Sequence, residues 1–234
     1  MKTVTSKYLW LLIVFIFAAG GTGVSLLRSG EAENKSLSPE RIAELREEYP
    51  VVLGTLTEAV SKELSFPKIL DVSQTAAVVE VLEKLPEYTL NLIGDANTPE
   101  GKLDEKHRSM GFSFAEAQFT QFRVKVTELI AGDPVEEYIN LYYNSDFQDI
   151  EPDLAPGTKL VTILFKAPSH PEGNYSFTKF GTYYVVDDNY VLSAYESDEH
   201  GEMSFPGKPM NGRSVDALIH EIKAYMKYGP SESK

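Results

Sequence analysis

The sequence predicts an α+β domain dominated by an antiparallel β meander that curls toward a small barrel, with a short N-terminal helix, a middle helix and a C-terminal docking helix. Three observations predict it. "FRVKVTE" (122–128) and "EEYINLYYN" (136–144) alternate apolar and polar residues, and "TKLVTILFKA" (158–167) is a continuous apolar run. "FTKFGTYYVVDDNYVLSAY" (177–195) folds back at Asp187-Asp188-Asn189. Ser214 precedes Val215, Leu218, Ile219, Ile222 and Met226, a helical stripe that ends at Gly229-Pro230. Burying those side chains is worth roughly 7 to 15 kcal/mol before entropy is counted.

The chain has 234 residues, 42% of them hydrophobic, enough for one sizeable core. From Tyr8 to Leu27 no residue is charged, and a helix of about 20 residues spans the roughly 30 Å core of a bilayer. Lys2 and Lys7 before this run outnumber Arg28 after it, so the positive-inside rule keeps the amino terminus cytoplasmic and sends the rest outward. The expected organisation is a cytoplasmic tip (1–7), a transmembrane anchor or signal peptide (8–27), a polar linker (28–37), a single extracytoplasmic domain (38–229) and a tail (230–234). The localisation that follows is a single-pass cell-membrane protein with its C-terminal domain outside. The alternative is secretion after cleavage near Gly20, where Ala18 and Gly20 form a small-x-small pattern.

Beyond residue 30 the chain holds 19 basic against 35 acidic residues, a net charge of −16. Such a body repels polyphosphate, so nucleic acid is not an expected partner. The absence of cysteine removes disulfides, thiolate catalysis, zinc–thiolate sites and lipidation of a cysteine.

In order along the domain, Ser38 caps a first helix with Pro39 at its first position, and Pro50 halts it. "VVLGTLTEAV" (51–60) reads as a first strand interrupted at Gly54. "SQTAAVVEVLEKLP" (73–86) reads as the middle helix, because Val78, Leu82 and Leu85 recur at i, i+4 and i+7 before Pro86. "YTLNLI" (88–93) follows as a strand, and the polar stretch 94–111 reads as a mobile, turn-rich loop. Gly132-Asp133-Pro134 and Ala155-Pro156-Gly157 supply turns between the later strands.

Taken together, "FRVKVTELIAGD", the strand "EEYINLYYN", "LAPGTKLVTILF" and the closing "SVDALIHEIKAY" resemble a group of uncharacterised exported proteins of Gram-positive bacteria. The resemblance covers residues 118–227 and, more faintly, "VVLGTLTEA". It implies an exported fold and transfers no catalytic residue.

Near-motifs resolve into structural roles. "HEIKA" at His220 has alanine at position 224, where a zinc site needs a second histidine. Ser214 in "GRSVD" stands where a helix N-cap belongs. "SFTK" (176–179) lacks the companion elements of a serine–lysine enzyme, and no cofactor is expected. The metal-ligand candidates are Asp146, Asp149, Glu196, Asp198 and His200, in two acidic loops whose spacing matches no calcium-binding loop. Tyr142, Tyr143, Tyr183 and Tyr184 are candidates for an aromatic patch that stacks on a glycan or an envelope protein. The expected function is a non-catalytic interaction module at the cell envelope. Its rivals are a hydrolase using paired acids, either Asp146, Asp149, Glu151 and Asp153 or the acids from Glu196 to Glu202, and a calcium-dependent surface protein.

Overall fold

A computed structural model describes residues 36–52, 66–73, 75–91, 97–111, 116–167, 169–197, 201, 202, 205 and 208–228. The expected tip, anchor, tail and most of the linker lie outside the described residues, as do residues 53–60 of the expected first strand. Among the described residues, no helix is long and apolar enough to cross a membrane.

The architecture is α+β with a dominant seven-stranded, mostly antiparallel sheet. In chain order the elements are α1 (Pro39–Leu45), α2 (Phe66–Val72), β1 (Thr75–Asn91), α3 (Pro99–Ser109), β2 (Glu116–Gly132), β3 (Tyr138–Asn144), β4 (Lys159–Leu164), β5 (Asn174–Ser176), β6 (Thr182–Val186), β7 (Tyr190–Ser193) and α4 (Val215–Tyr228). The sheet order is β5-β3-β2-β1-β4-β6-β7, and only the β3–β5 pair is parallel.

The expected helix over 73–86 is instead the first half of β1. Ala77, Val79 and Val81 point into one core, while Ala76 and Val78 point into another. A central strand buried on both faces shows no two-residue period, and the spacing of Val78, Leu82 and Leu85 imitates a helical stripe. The β-branched Thr75, Val78, Val79 and Val81 favour the pleated conformation. Pro86 is tolerated because pairing to β4 stops at Glu80 and the β1–β2 register slips between Leu85 and Tyr88, so no ladder donor is needed there. The side chain of Gln121 donates to its carbonyl at 2.7 Å.

The stretch 94–111, expected as a loop, contains α3. Thr98 caps it by accepting from the Gly101 amide at 3.0 Å, Pro99 opens it, and Lys106, His107 and Arg108 occupy its last turn.

The first core joins Val79, Val81, Phe122, Val124, Ile139, Leu141, Leu160, Leu164, Tyr184 and Leu192 with Leu45 of α1. The second covers the opposite face, where Val161, Ile163, Tyr183 and Val191 meet Phe66, Ile69 and Leu70 of α2 and Leu218, Ile219 and Ile222 of α4. Ser214 caps α4 as expected, accepting from the Ala217 amide at 3.2 Å.

The sheet curls without closing into a barrel. One antiparallel bridge, Phe165 with Ser176, ties the chain after β4 to β5. β5 is only three residues long and cannot extend that pairing. On the other flank, residues 211–213 cover β7, with the Val191 amide donating to the Arg213 carbonyl and the Gly212 amide to the Val191 carbonyl. The expected hairpin turn is present, and Asp187 and Asp188 both take positive φ, at 47° and 61°.

Gly212 closes this covered edge. Its φ is +76°, and a Cβ there would stand 2.8 Å from Cδ1 of Ile42. Gly212→Ala is therefore expected to lower stability by about 1 to 2 kcal/mol, mainly through left-handed strain, since Cδ1 of Ile42 ends a flexible side chain that can turn aside. Denaturant titration against wild type measures it.

Candidate functional site

Among the described residues, four places gather polar or aromatic side chains. The first is a buried acid–base pair. Glu151 follows the turn after β3, and Lys179 lies in a 3-10 turn before β6 with 1% of its surface exposed. The Glu151 carboxylate accepts from the Lys179 amide at 2.6 Å and from the Thr178 hydroxyl at 3.0 Å. Burial pushes its carboxyl up to about 7, against the lowering effect of these donors and of the Lys179 charge. The Lys179 ammonium lies 5.1 Å from the Tyr195 ring centre and 5.4 Å from that of Phe180, and it donates to the Val52 carbonyl at 3.3 Å. Burial holds its pKa below the usual lysine value, opposed by the Glu151 charge.

The second place is an aromatic cluster at the far end of the sheet. His170 stacks on Tyr142 with ring centres 4.1 Å apart, meets Phe119 edge-on at 4.7 Å, and brings Nδ1 within 2.8 Å of the Tyr88 hydroxyl. Burial lowers the His170 pKa and raises that of Tyr88, in each case disfavouring the charged form. This cluster fastens the loop between β4 and β5 onto β1, β2 and β3.

The third place is the acidic loop after β7. Glu196 binds the Arg46 guanidinium and the Asn211 amide, and Arg46 also donates to the Ser193 carbonyl at 2.9 Å. Glu196 thus ties α1 to the edge of the sheet.

The fourth is the outer face of β2 and β3. Tyr138 is 41% exposed. The Arg123 guanidinium sits 5.7 Å and the Lys125 ammonium 6.0 Å from its ring centre. Asn140 accepts from Arg123 at 3.1 Å and donates to the buried Asn174 at 3.0 Å. Neither Arg123, Lys125, Tyr138 nor Asn140 belongs to the core that α2 and α4 cover.

The residues singled out from the sequence are dispersed. Asp146 and Asp149 are exposed around the 3-10 turn after β3, and Glu196 is engaged by Arg46. Asp198 and His200 lie outside the described residues. Among the described residues, no group of three or more histidines, aspartates or glutamates is placed to hold a metal ion. Tyr142, Tyr143, Tyr183 and Tyr184 are all buried, with exposures of 5% or less, so these rings fill the cores and offer no stacking face to solvent. Both faces of the sheet carry a core, so alternation sends aromatic residues inward on either side. Ser176 and Lys179 of "SFTK" bond to different carbonyls, those of Phe165 and Val52.

Sequence reasoning names members of these places, Glu151, Lys179, Tyr142 and Glu196 among them, without their pairings. Glu151 and Lys179 are 28 positions apart and carry no motif. Tyr88 and His170 are 82 apart. The usable signal for the outer face is that Arg123 and Lys125 alternate with Phe122, Val124 and Val126, placing the cations opposite the core.

No protein family and no curated protein matches the chain. The arrangement itself is therefore the guide to chemistry. Both Glu151 oxygens are occupied by fixed intramolecular donors. The Tyr138 ring is exposed, while the Lys125 ammonium beside it pairs with Glu137 at 3.4 Å and Arg123 bonds Asn140.

The Glu151 carboxyl makes stability depend on pH. Its folded pKa, about 7, lies above its ordinary value of 4.5, so the folded state holds this proton more tightly. The contribution is complete below about pH 4.5 and is lost as pH rises through 7. Thermal melts from pH 5 to 8 are expected to show this loss, on the order of 3 kcal/mol, and Glu151→Gln is expected to remove it while leaving other titrations in place.

Proposed function

We propose that this chain is a membrane-anchored extracytoplasmic domain acting as a non-catalytic interaction module at the cell envelope. It engages its partner through the outer face of β2 and β3. The observation that carries the reading is Tyr138, exposed on that face with Arg123 and Lys125 beside its ring.

The charge pattern supports it. On a body of net charge −16, two cations around an exposed aromatic ring suit a partner that brings a flat apolar face and negative charge together. An envelope glycan bearing acidic groups has both: the sugar face stacks on Tyr138, and its acid meets Arg123 and takes the place of Glu137 beside Lys125. The uncharged run from Tyr8 to Leu27 supports the anchor, and Lys2 and Lys7 support the outward orientation. The resemblance to exported proteins points the same way.

The rival reading, a hydrolase with paired acids, draws less support. Among its candidates, Glu196 binds Arg46 and Asn211, Glu151 clamps Thr178 and Lys179, and Asp153 pairs with Lys84 at 3.0 Å.

Placing a photo-reactive amino acid at position 138 of the full chain in intact cells tests the module. The expected result is an adduct sensitive to glycan-digesting enzymes, absent when the same residue replaces Leu129 and reduced about tenfold in Arg123→Gln with Lys125→Gln. A protease-sensitive adduct would replace the glycan with a protein partner. Turnover of a wall or peptide substrate that disappears in Glu151→Gln at unchanged melting temperature would replace the module with the enzyme. Membrane fractionation with mass spectrometry of the mature amino terminus separately tests retention of the anchor.

A further inference from the structure

The β1–α3–β2 arm projects from one end of the sheet, and the geometry says which end. β1 and β6 both run antiparallel to β4, so they run the same way. The β6–β7 turn at Asp187–Asn189 therefore lies at the end toward which β1 travels. The first described residues sit at that same end. Ser36 bridges Arg213, the Leu37 amide donates to the Gly212 carbonyl, and Arg41 binds Asp187 at 2.7 Å. Ser36, the first described residue, thus joins the fold on the side toward which β1 runs into the arm.

At the tip, α3 turns Gly101 and Asp104 inward, with Asp104 held by Arg108 at 2.7 Å. Its outward face carries Lys102, Leu103, Lys106 and Met110, whose spacings of three, four and seven place them together on a helix. Leu103 and Met110 are each 54% exposed, and Lys102 and Lys106 are exposed without an ion pair among the described residues. Glu100 and Glu105 project to the two sides of this face, about 110° from its centre. An apolar pair bordered on one side by two lysines matches the interfacial zone of an anionic bilayer, where lysine meets the headgroups and the apolar side chains enter the acyl boundary.

We propose that the arm is a second membrane contact: α3 lies on the anionic bilayer surface beside the anchor and inserts Leu103 and Met110, with Lys102 and Lys106 along one side of them at the headgroups. The inference rests on the anchored reading above and adds a fixed orientation of the domain. With the arm docked, the sheet is held by two attachments at one end.

The chain has no cysteine, so single cysteines can be labelled cleanly. Full-length Leu103→Cys and Met110→Cys, each carrying a polarity-sensitive dye, are reconstituted into vesicles of phosphatidylcholine alone or mixed with phosphatidylglycerol. Leu129→Cys, on β2 at the opposite end and 41% exposed, is the control. The dyes at 103 and 110 are expected to be quenched by lipid-borne quenchers in the anionic vesicles, with the dye at 129 remaining in water. Lys102→Glu with Lys106→Glu is expected to shift the docked-to-free ratio roughly tenfold or more toward free. Dyes at 103 and 110 as open to aqueous quencher as the one at 129 would overturn the inference. Flotation with the vesicles reads the anchor independently. Flotation with water-exposed dyes overturns the arm alone, and failure to float overturns anchor and arm together.

Discussion

β1 and β2 are each 17 residues long and pair at fourteen positions, and this ribbon holds every other element in place. Along its first half β1 is flanked by β2 on one side and β4 on the other, with a core against each face. Ala76 and Ala77 sit there fully buried, where larger side chains would force the layers apart. The register shifts four times along the pair. Each shift adds local twist, so the ribbon coils and allows β3 and β5 to fold back toward the end of β4. A single bridge completes that curl, and the three-residue β5 limits it to one.

The same ribbon divides the outer surface of the sheet. At its Thr75 end, α2 and α4 lie over β1, β4 and β6 and exclude water. Toward the other end Phe119, Tyr142, Tyr88 and His170 cover the sheet with their own rings. Between these two covered regions the face stays polar and open, and Arg123, Lys125 and Tyr138 occupy it. A sheet needs an apolar face only where another layer packs on it, so these residues are free of any role in the cores.

Local chemistry was the most readable part of the sequence. Turns need particular backbone angles, and Gly132, Gly157, Asp187 and Asp188 occupy positive φ where a turn was expected. Caps at Ser38 and Ser214 likewise need only an oxygen at the right offset. β1 was unreadable because its pattern reflects two neighbours rather than one, and periodicity cannot distinguish a doubly buried strand from a helix. α3 was missed because its apolar residues, Leu103 and Met110, point away from the core. The Thr98-Pro99 cap, a local signal, was the clue that remained. The candidate tyrosines were placed on a surface because alternation says which residues share a face and not which faces are covered.

Glu151 and Lys179 show why a perturbed carboxyl is not by itself a catalytic one. Desolvation raises the Glu151 pKa, as it does in many active sites. Here the two oxygens are spent on holding the Thr178 hydroxyl and the Lys179 amide, which fixes the 3-10 turn that feeds β6. The Lys179 side chain then turns between Phe180 and Tyr195 to reach the Val52 carbonyl. A carboxylate acting as general acid or base must exchange its proton with a substrate, and one locked by two internal donors can do so only by releasing the strand that it anchors. The pair therefore belongs to the fold.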